Sequence, residues 1–192
     1  GSVMPAYSLP PAGLTVQGTP SEIERVGVGF NRQLLTDILR TRFGFAGVVM
    51  SDWHITDDCS RACIEGAPPA SLPGPQDISM PWGVEHLTKT ERFAKAVLAG
   101  VDQFGGAQDP GWIIDAVQRG LLPMQAVNQA VQRIMTQRFL LGLFEDPYVN
   151  EQAAESLVGH DAAQALALDA QRRSLVLLKN HGATLPLRDR SI

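Results

Sequence analysis

An aspartate ends an apolar run near the start of the sequence, and an indole comes directly after it. The stretch "GFAGVVMSDWH" places Asp52 and Trp53 just beyond the apolar residues Val48–Met50. A short continuous apolar run bounded by glycine and polar residues predicts a strand buried on both faces, as in parallel sheets. A carboxylate at the carboxyl end of such a strand is costly to desolvate, so it is usually there for chemistry or for ion pairing. Asp52 is therefore either a reactive carboxylate or a structural acid, and its position alone favours neither.

The composition predicts a globular protein and argues against two classes of partner. With 192 residues, 44% hydrophobic and 19% charged, the chain has the length of one domain or of parts of two. A net charge of −4 and the lack of a Lys/Arg cluster argue against nucleic acid as a partner. We expect no membrane partner either, because no apolar run approaches the roughly 20 residues needed to cross a bilayer. No signal peptide is visible at the N-terminus, and the sequence does not determine the compartment or the oligomeric state.

Strands and helices are predicted to alternate along most of the chain. Strands are expected at Val3–Tyr7, at Val48–Met50 and within "AGVDQFGG", with helices over 32–43, 88–99, 111–119 and 124–141. This order predicts an α/β fold whose parallel sheet carries functional loops at the carboxyl ends of its strands. The last of these helices is expected to bury Val127, Val131, Ile134 and Met135. Beyond residue 148 the sequence predicts a helical connector over 149–173 and, in "LVLLKN", a buried strand that opens a second domain over 174–192.

Two cysteines, Cys59 and Cys63, lie close together in "CSRAC". A local disulfide and a pair of free thiols both remain open interpretations. We expect no metal site, because two thiols need further ligands and only His54 lies near them in sequence. No cofactor is expected either, since the glycines of "GVGF" and "GG" lack the context of a phosphate-binding loop.

Several motifs, in a consistent order, resemble glycoside hydrolase family 3. "ILRTRFGFAGVVMSDWHI" fits the family signature around its nucleophile, and "VMPAYS" resembles the preceding strand with its active-site tyrosine. "AGVDQFGG" is similar to the last barrel strand, and "AVNQAVQRIMTQRFLLGLFEDPY" to the end of the barrel. "AQRRSLVLLKNHGATLPL" resembles the entry into the second, α/β-sandwich domain. Two departures stand out: Ser8 replaces a frequent asparagine, and "DQFGG" replaces a strand end that often contains methionine.

The resemblance implies a fold, an activity and three site residues. Residues 1–148 would form the last three units of a (β/α)₈ barrel, which typically needs about 250 residues. The implied activity is retaining hydrolysis of a terminal β-linked sugar, most often glucose, with a small carbohydrate as substrate. Asp52 aligns with the catalytic nucleophile, and Trp53 and Tyr7 align with substrate-binding aromatic residues.

A retaining glycosidase needs a second carboxyl group about 5–5.5 Å from the first, as acid/base. The family usually takes it from the second domain, so we expect this chain to be an incomplete, inactive fragment that lacks the acid/base. Asp57 and Asp58 are better explained as solvated or capping residues. Two other functions stay open: a non-catalytic carbohydrate-binding or interaction protein, and a β-N-acetylglucosaminidase.

Overall fold

The chain forms two compact units, Gly1–Asp146 and Pro147–Ile192. The computed structural model describes residues 1–17, 21–65, 78–183 and 185–186. The division lies close to the domain limits expected from the sequence, whose assignment to a barrel, a connector and a sandwich domain stays a prediction.

A parallel three-stranded sheet forms the centre of the first unit. Its strands are β1 (Ser2–Val3), β2 (Val48–Trp53) and β3 (Gln103–Gly105), in the spatial order β1-β2-β3. Ser2 pairs with Val48, and Met50 pairs with Gln103. Parallel strands separated by helices confirm the α/β fold class.

Two strand predictions need correction at their ends. The strand β2 continues to Trp53, so Asp52 is a residue of the strand and does not follow it. The first strand was predicted over Val3–Tyr7, which is wrong: pairing covers only Ser2–Val3. Pro5 accounts for the early end, because proline has no N–H to donate to a ladder.

Five α or π helices are described in this unit, and two of them show clear capping contacts at their starts. They are α1 (Gln33–Arg42, of π type), α2 (Arg61–Glu65), α3 (Lys89–Ala99), α4 (Gly111–Gln118) and α5 (Met124–Leu140). Thr88 and Glu91 form a reciprocal capping box at the start of α3. The Asn31 side chain accepts a hydrogen bond from the Leu34 N–H at 2.9 Å. Gly44 follows α1 with φ of 68°, the left-handed conformation expected of a helix-ending glycine.

The hydrophobic core lies between β2 and the helices α1 and α3. It is a cluster of nine buried residues around the centre of β2, namely Val26, Phe30, Leu35, Val49, Ile55, Val84, Ala96, Ala99 and Val101. Helix α5 contributes less than its sequence pattern predicts. Val131 is 51% exposed, so its predicted burial is wrong, and Ala130 is the buried residue of this helix. Ala126 and Val127 of this helix pack against a second buried cluster, which is formed by Ala94, Ala116 and Leu122.

At the amino end of β3, the buried carboxylate of Asp102 joins four elements. One oxygen accepts hydrogen bonds from Arg40 of α1 at 2.6 Å and from the Val49 N–H of β2 at 2.8 Å. The other oxygen pairs with Arg133 of α5 at 2.8 Å. Arg40 also donates to the carbonyls of Gly47 and Gly100. The side chain of Asp102 is only 1% exposed, so these partners replace its water.

The second unit contains the helices α6 (Glu151–Leu157) and α7 (Asp161–Ser174), as predicted from its alanine-rich sequence. The buried strand predicted in "LVLLKN" is wrong. Residues 175–180 form no ladder, and Leu178 is 91% exposed. Among the described residues of this unit there is no strand for it to pair with, and an unpaired apolar segment cannot satisfy its backbone as a buried strand. No helix in the described part of the chain is long and apolar enough to span a membrane.

We predict that Asp102→Asn strongly destabilises the first unit, by about 3–5 kcal/mol, because it leaves Arg40 and Arg133 without their counter-charge. Urea unfolding, with hydrogen exchange of the Val49 amide as a local probe, measures the loss. The matched control is Asp169→Asn, which removes an exposed pair with Arg173 and should cost at most about 1 kcal/mol. Equal unfolding midpoints for the two variants would contradict the prediction.

Candidate active site

The Asp52 carboxylate lies at the carboxyl end of β2 and is partly exposed. One of its oxygens, Oδ1, accepts a hydrogen bond from the Trp53 N–H at 2.8 Å. No hydrogen bond or ion pair to its second oxygen is formed within the described residues. The adjacent Ser51 hydroxyl accepts a hydrogen bond from the Gly105 N–H at 3.1 Å, which joins the ends of β2 and β3. The carboxylate is therefore held by one oxygen on a strand fixed from both sides, while the other oxygen is available.

A small pocket beside Asp52 brings it together with Tyr7. The pocket is lined by ten residues: Pro5, Ala6, Tyr7, Gly27, Gly29, Phe30, Ser51, Asp52, Ile55 and Met80. Its glycines are needed for close approach, because a Cβ at Gly29 would lie 3.0 Å from the Ile55 side chain. Tyr7 is 41% exposed, and among the described residues its hydroxyl forms no hydrogen bond with the Asp52 carboxylate. Asp52 and Tyr7 therefore border the same small recess.

Trp53 is not among the residues that line that pocket. Its indole covers the end of β3: a Cβ built on Gly105 would lie 2.3 Å from the ring, and one on Gly106 would lie 3.4 Å from it. The indole of Trp53 therefore packs against the backbone of these two glycines. Trp53 is 58% exposed, which leaves ring surface open for a ligand. Sequence reasoning assigned no role to the "GG" pair. Two glycines without side chains at the end of a strand could have indicated that a large side chain packs there.

The segment after β2 is held by an ionic network. Asp57 pairs with the Lys89 ammonium of α3 and, at 2.6 Å, with Nδ1 of His54. Partial burial raises the pKa of Asp57, but the hydrogen bonds and charges of Lys89 and His54 lower it more, so the net pKa lies below the ordinary aspartate value. His54 has φ of 59°, a left-handed conformation that is uncommon outside glycine.

Arg92 of α3 also holds the segment that follows β2. It is 3% exposed, donates to the carbonyls of Thr56, Val84 and Glu85, and pairs with Asp58 at 2.8 Å. Directly after Asp58, Cys59 and Cys63 form a disulfide. Of the two interpretations that the sequence left open, the local disulfide is therefore the one that the structure contains. Asp57 and Asp58 thus serve as ion-pair partners that order this segment.

No cluster of metal-ligating side chains is present in residues 1–17, 21–65, 78–183 and 185–186. The acidic side chain that lines the pocket is Asp52, and the other lining residues named for the pocket carry no second carboxyl group. What this arrangement offers chemically is one oriented carboxylate, a phenol and an open indole at the same end of the sheet.

We predict that Gly105→Ala displaces the indole of Trp53, because the added Cβ would overlap the ring and also lie 2.9 Å from the Ser51 carbonyl oxygen. In a background of Trp82→Phe and Trp112→Phe, the change should shift Trp53 emission and its quenching by acrylamide. Gly1→Ala is the control, since a Cβ there would meet nothing within 4 Å and the first residue has no left-handed φ to strain. Unchanged emission in Gly105→Ala would show that the indole does not pack against this glycine.

We predict that Asp57 stabilises the fold only above a threshold pH. Folding lowers the pKa of Asp57, so the carboxylate stabilises the folded state fully at pH values above its unfolded pKa of about 3.9. This stabilisation is lost as the pH falls through the lowered pKa of the folded state. The difference in unfolding midpoint between the unmodified chain and Asp57→Asn should therefore be constant from pH 6 to about pH 4.5 and shrink below that range. A difference that stays constant down to pH 2 would contradict this linkage.

Comparison with known proteins agrees with the motifs. Residues 11–137 match the model of the glycosyl hydrolase family 3 N-terminal domain. A periplasmic β-glucosidase/β-xylosidase of Dickeya chrysanthemi is 52% identical over 97% of this chain and 28% of its own length. A probable β-glucosidase C of Aspergillus oryzae is 36% identical over 97% of the chain and 26% of its own length. The chain thus spans about a quarter of the curated relatives it matches.

A solved β-glucosidase involved in saponin metabolism from intestinal bacteria has a similar fold. It superposes with a TM-score of 0.63 at 29% identity, covering 97% of this chain and 20% of that one. The family model covers well over half of the chain and includes the strand that carries Asp52. The chain belongs to glycosyl hydrolase family 3.

Proposed function

We propose that the polypeptide carrying this chain is a retaining glycosidase that releases a terminal β-linked sugar, most often glucose, from oligosaccharides or glycosides. The observation that carries the proposal is the Asp52 carboxylate, oriented by the Trp53 N–H on a sheet-anchored strand end and open on its second oxygen. The names of the relatives in Dickeya and Aspergillus support the substrate class. The Dickeya name also mentions β-xylosidase, so a β-xyloside is the second substrate to test.

The proposed fold places these residues at the mouth of a barrel. In this proposal β1, β2 and β3 with their helices are the last three units of a (β/α)₈ barrel, whose active sites lie at the carboxyl ends of the strands. Asp52, Tyr7 and Trp53 all lie at or just beyond these ends. Asp102 and its ion pairs lie at the amino end of the strands. In barrels of this kind, residues at that end contribute to stability and not to catalysis.

In the proposed mechanism the free oxygen of Asp52 attacks the anomeric carbon as the bond to the leaving group breaks. The Trp53 N–H on Oδ1 keeps the carboxylate in one orientation. A second carboxyl group protonates the leaving oxygen and later activates the water that frees the sugar. Because the pocket lining described here includes no such group, we propose that the acid/base comes from another part of the polypeptide.

The test is hydrolysis of aryl β-glucoside and aryl β-xyloside by the longest polypeptide that the reading frame encodes. Asp52→Asn should lower kcat more than about a thousandfold, because it removes the nucleophile and leaves the shape of the site unchanged. A 2-deoxy-2-fluoro glucoside should add its sugar to the peptide containing Asp52, and to no other. The control is Asp109→Asn, at the start of α4, which should hydrolyse normally.

Normal turnover by Asp52→Asn, or labelling of a different carboxylate, would overturn the proposal. The isolated 192-residue chain gives a further comparison. Because the described residues that line the pocket include no second carboxyl group, we expect this chain to show no turnover of the aryl glucoside. Turnover by this chain that depends on Asp52 would place the acid/base within it.

A further inference from the structure

The ring of His54 lies beside the indole of Trp53, over the same glycine. A Cβ built on Gly106 would lie 3.4 Å from the Trp53 ring, 3.4 Å from Cε1 of His54 and 3.5 Å from its Nε2. The Nε2 edge of His54 and the open indole therefore face a common space at the end of β3. The side chain of His54 is 23% exposed, so solvent reaches it without surrounding it.

The contact between His54 and Asp57 determines which ring nitrogen of His54 is available to a ligand. The Asp57 carboxylate accepts the Nδ1–H of His54 at 2.6 Å, and Lys89 keeps Asp57 ionised. In the neutral imidazole the proton is then on Nδ1, and Nε2 carries the lone pair. Nε2 has no hydrogen-bond partner in the part of the chain that the structure describes. The histidine thus presents an oriented acceptor beside an aromatic platform.

The backbone of His54 is held in place as firmly as its ring. Its N–H donates to the Gly105 carbonyl at 3.4 Å, and its own carbonyl accepts from Asp57 at 3.3 Å and from Met80 at 3.4 Å. Its left-handed conformation persists only because such contacts maintain it, and conformations of this kind cluster at ligand sites.

We propose that His54 is a sugar-binding residue whose Nε2 accepts a hydrogen bond from one hydroxyl of the pyranose ring that stacks on Trp53. A pyranoside has the two features this surface matches, an apolar C–H face for the indole and hydroxyls at its rim. The ligand class is a neutral pyranoside with a free hydroxyl toward Gly106. This inference rests on the proposed function and assigns one determinant of its substrate specificity.

The test compares sugars that differ by one hydroxyl, with the longest polypeptide of the reading frame as enzyme. The substrates are 4-nitrophenyl β-D-glucopyranoside and its monodeoxy analogues. In His54→Gly, which adopts a positive φ freely, KM for the parent glucoside should rise about tenfold, as one lost hydrogen bond of about 1.4 kcal/mol implies. For one deoxy analogue the rise should stay below twofold, because that sugar lacks the hydroxyl that His54 binds. His54→Asn, a second residue type that tolerates this backbone conformation, should give the same pattern.

Equal losses for every analogue, or no loss for any, would overturn the proposal and leave His54 as a loop-ordering residue. Its failure is distinguishable from that of the proposed function, since Asp52→Asn alone tests the nucleophile. A readout without catalysis uses histidine labelled with ¹⁵N and methyl β-D-glucopyranoside as the probe. The Nε2 signal of His54 should move as this sugar is added. An Nε2 signal that stays fixed while the sugar quenches Trp53 fluorescence would also overturn the proposal.

Discussion

The carboxylate of Asp102 is the interaction on which the first unit depends. It is almost fully buried, and its partners come from β2, α1 and α5, elements far apart in sequence. A buried charge is tolerated only where its hydrogen bonds are replaced, so each partner fixes the position of the others. Because Val49 is one of these partners, the start of β2 is fixed. The other end of the same strand, which carries Asp52, is positioned through this fixed start.

At the opposite end of β2 a second ionic network performs a different task. Arg92 and Lys89, both on α3, reach up to Asp57 and Asp58 and hold the segment that follows Trp53. This segment carries the left-handed His54 and the disulfide. One helix therefore determines the geometry of both the strand end and the loop beside it. The pocket with Asp52 and Tyr7 and the surface with Trp53 and His54 are arranged on this common support.

Sequence reasoning succeeded where the physical cause is local. The helix expected over 88–99, found at Lys89–Ala99, and the α/β order of elements follow from neighbouring residues, and the structure contains them. The family follows from motifs in a consistent order and is confirmed by the match over residues 11–137. Predictions that require a partner elsewhere in the chain were less reliable. Among the described residues, the segment "LVLLKN" pairs with no strand, and Val131 of α5 is 51% exposed.

The sequence by itself determined the fold class, the family and the identity of Asp52, Trp53 and Tyr7 as candidates, because strand periodicity and motif order are properties of adjacent residues. Only the tertiary structure decided that Asp102 is an anchor, that Gly105 and Gly106 pack against the indole, and that His54 lies beside it. It also decided between the disulfide and free thiols. Each of these facts depends on the distance between side chains or backbone segments brought together by folding, and hydrophobic patterning along the chain carries no such distance.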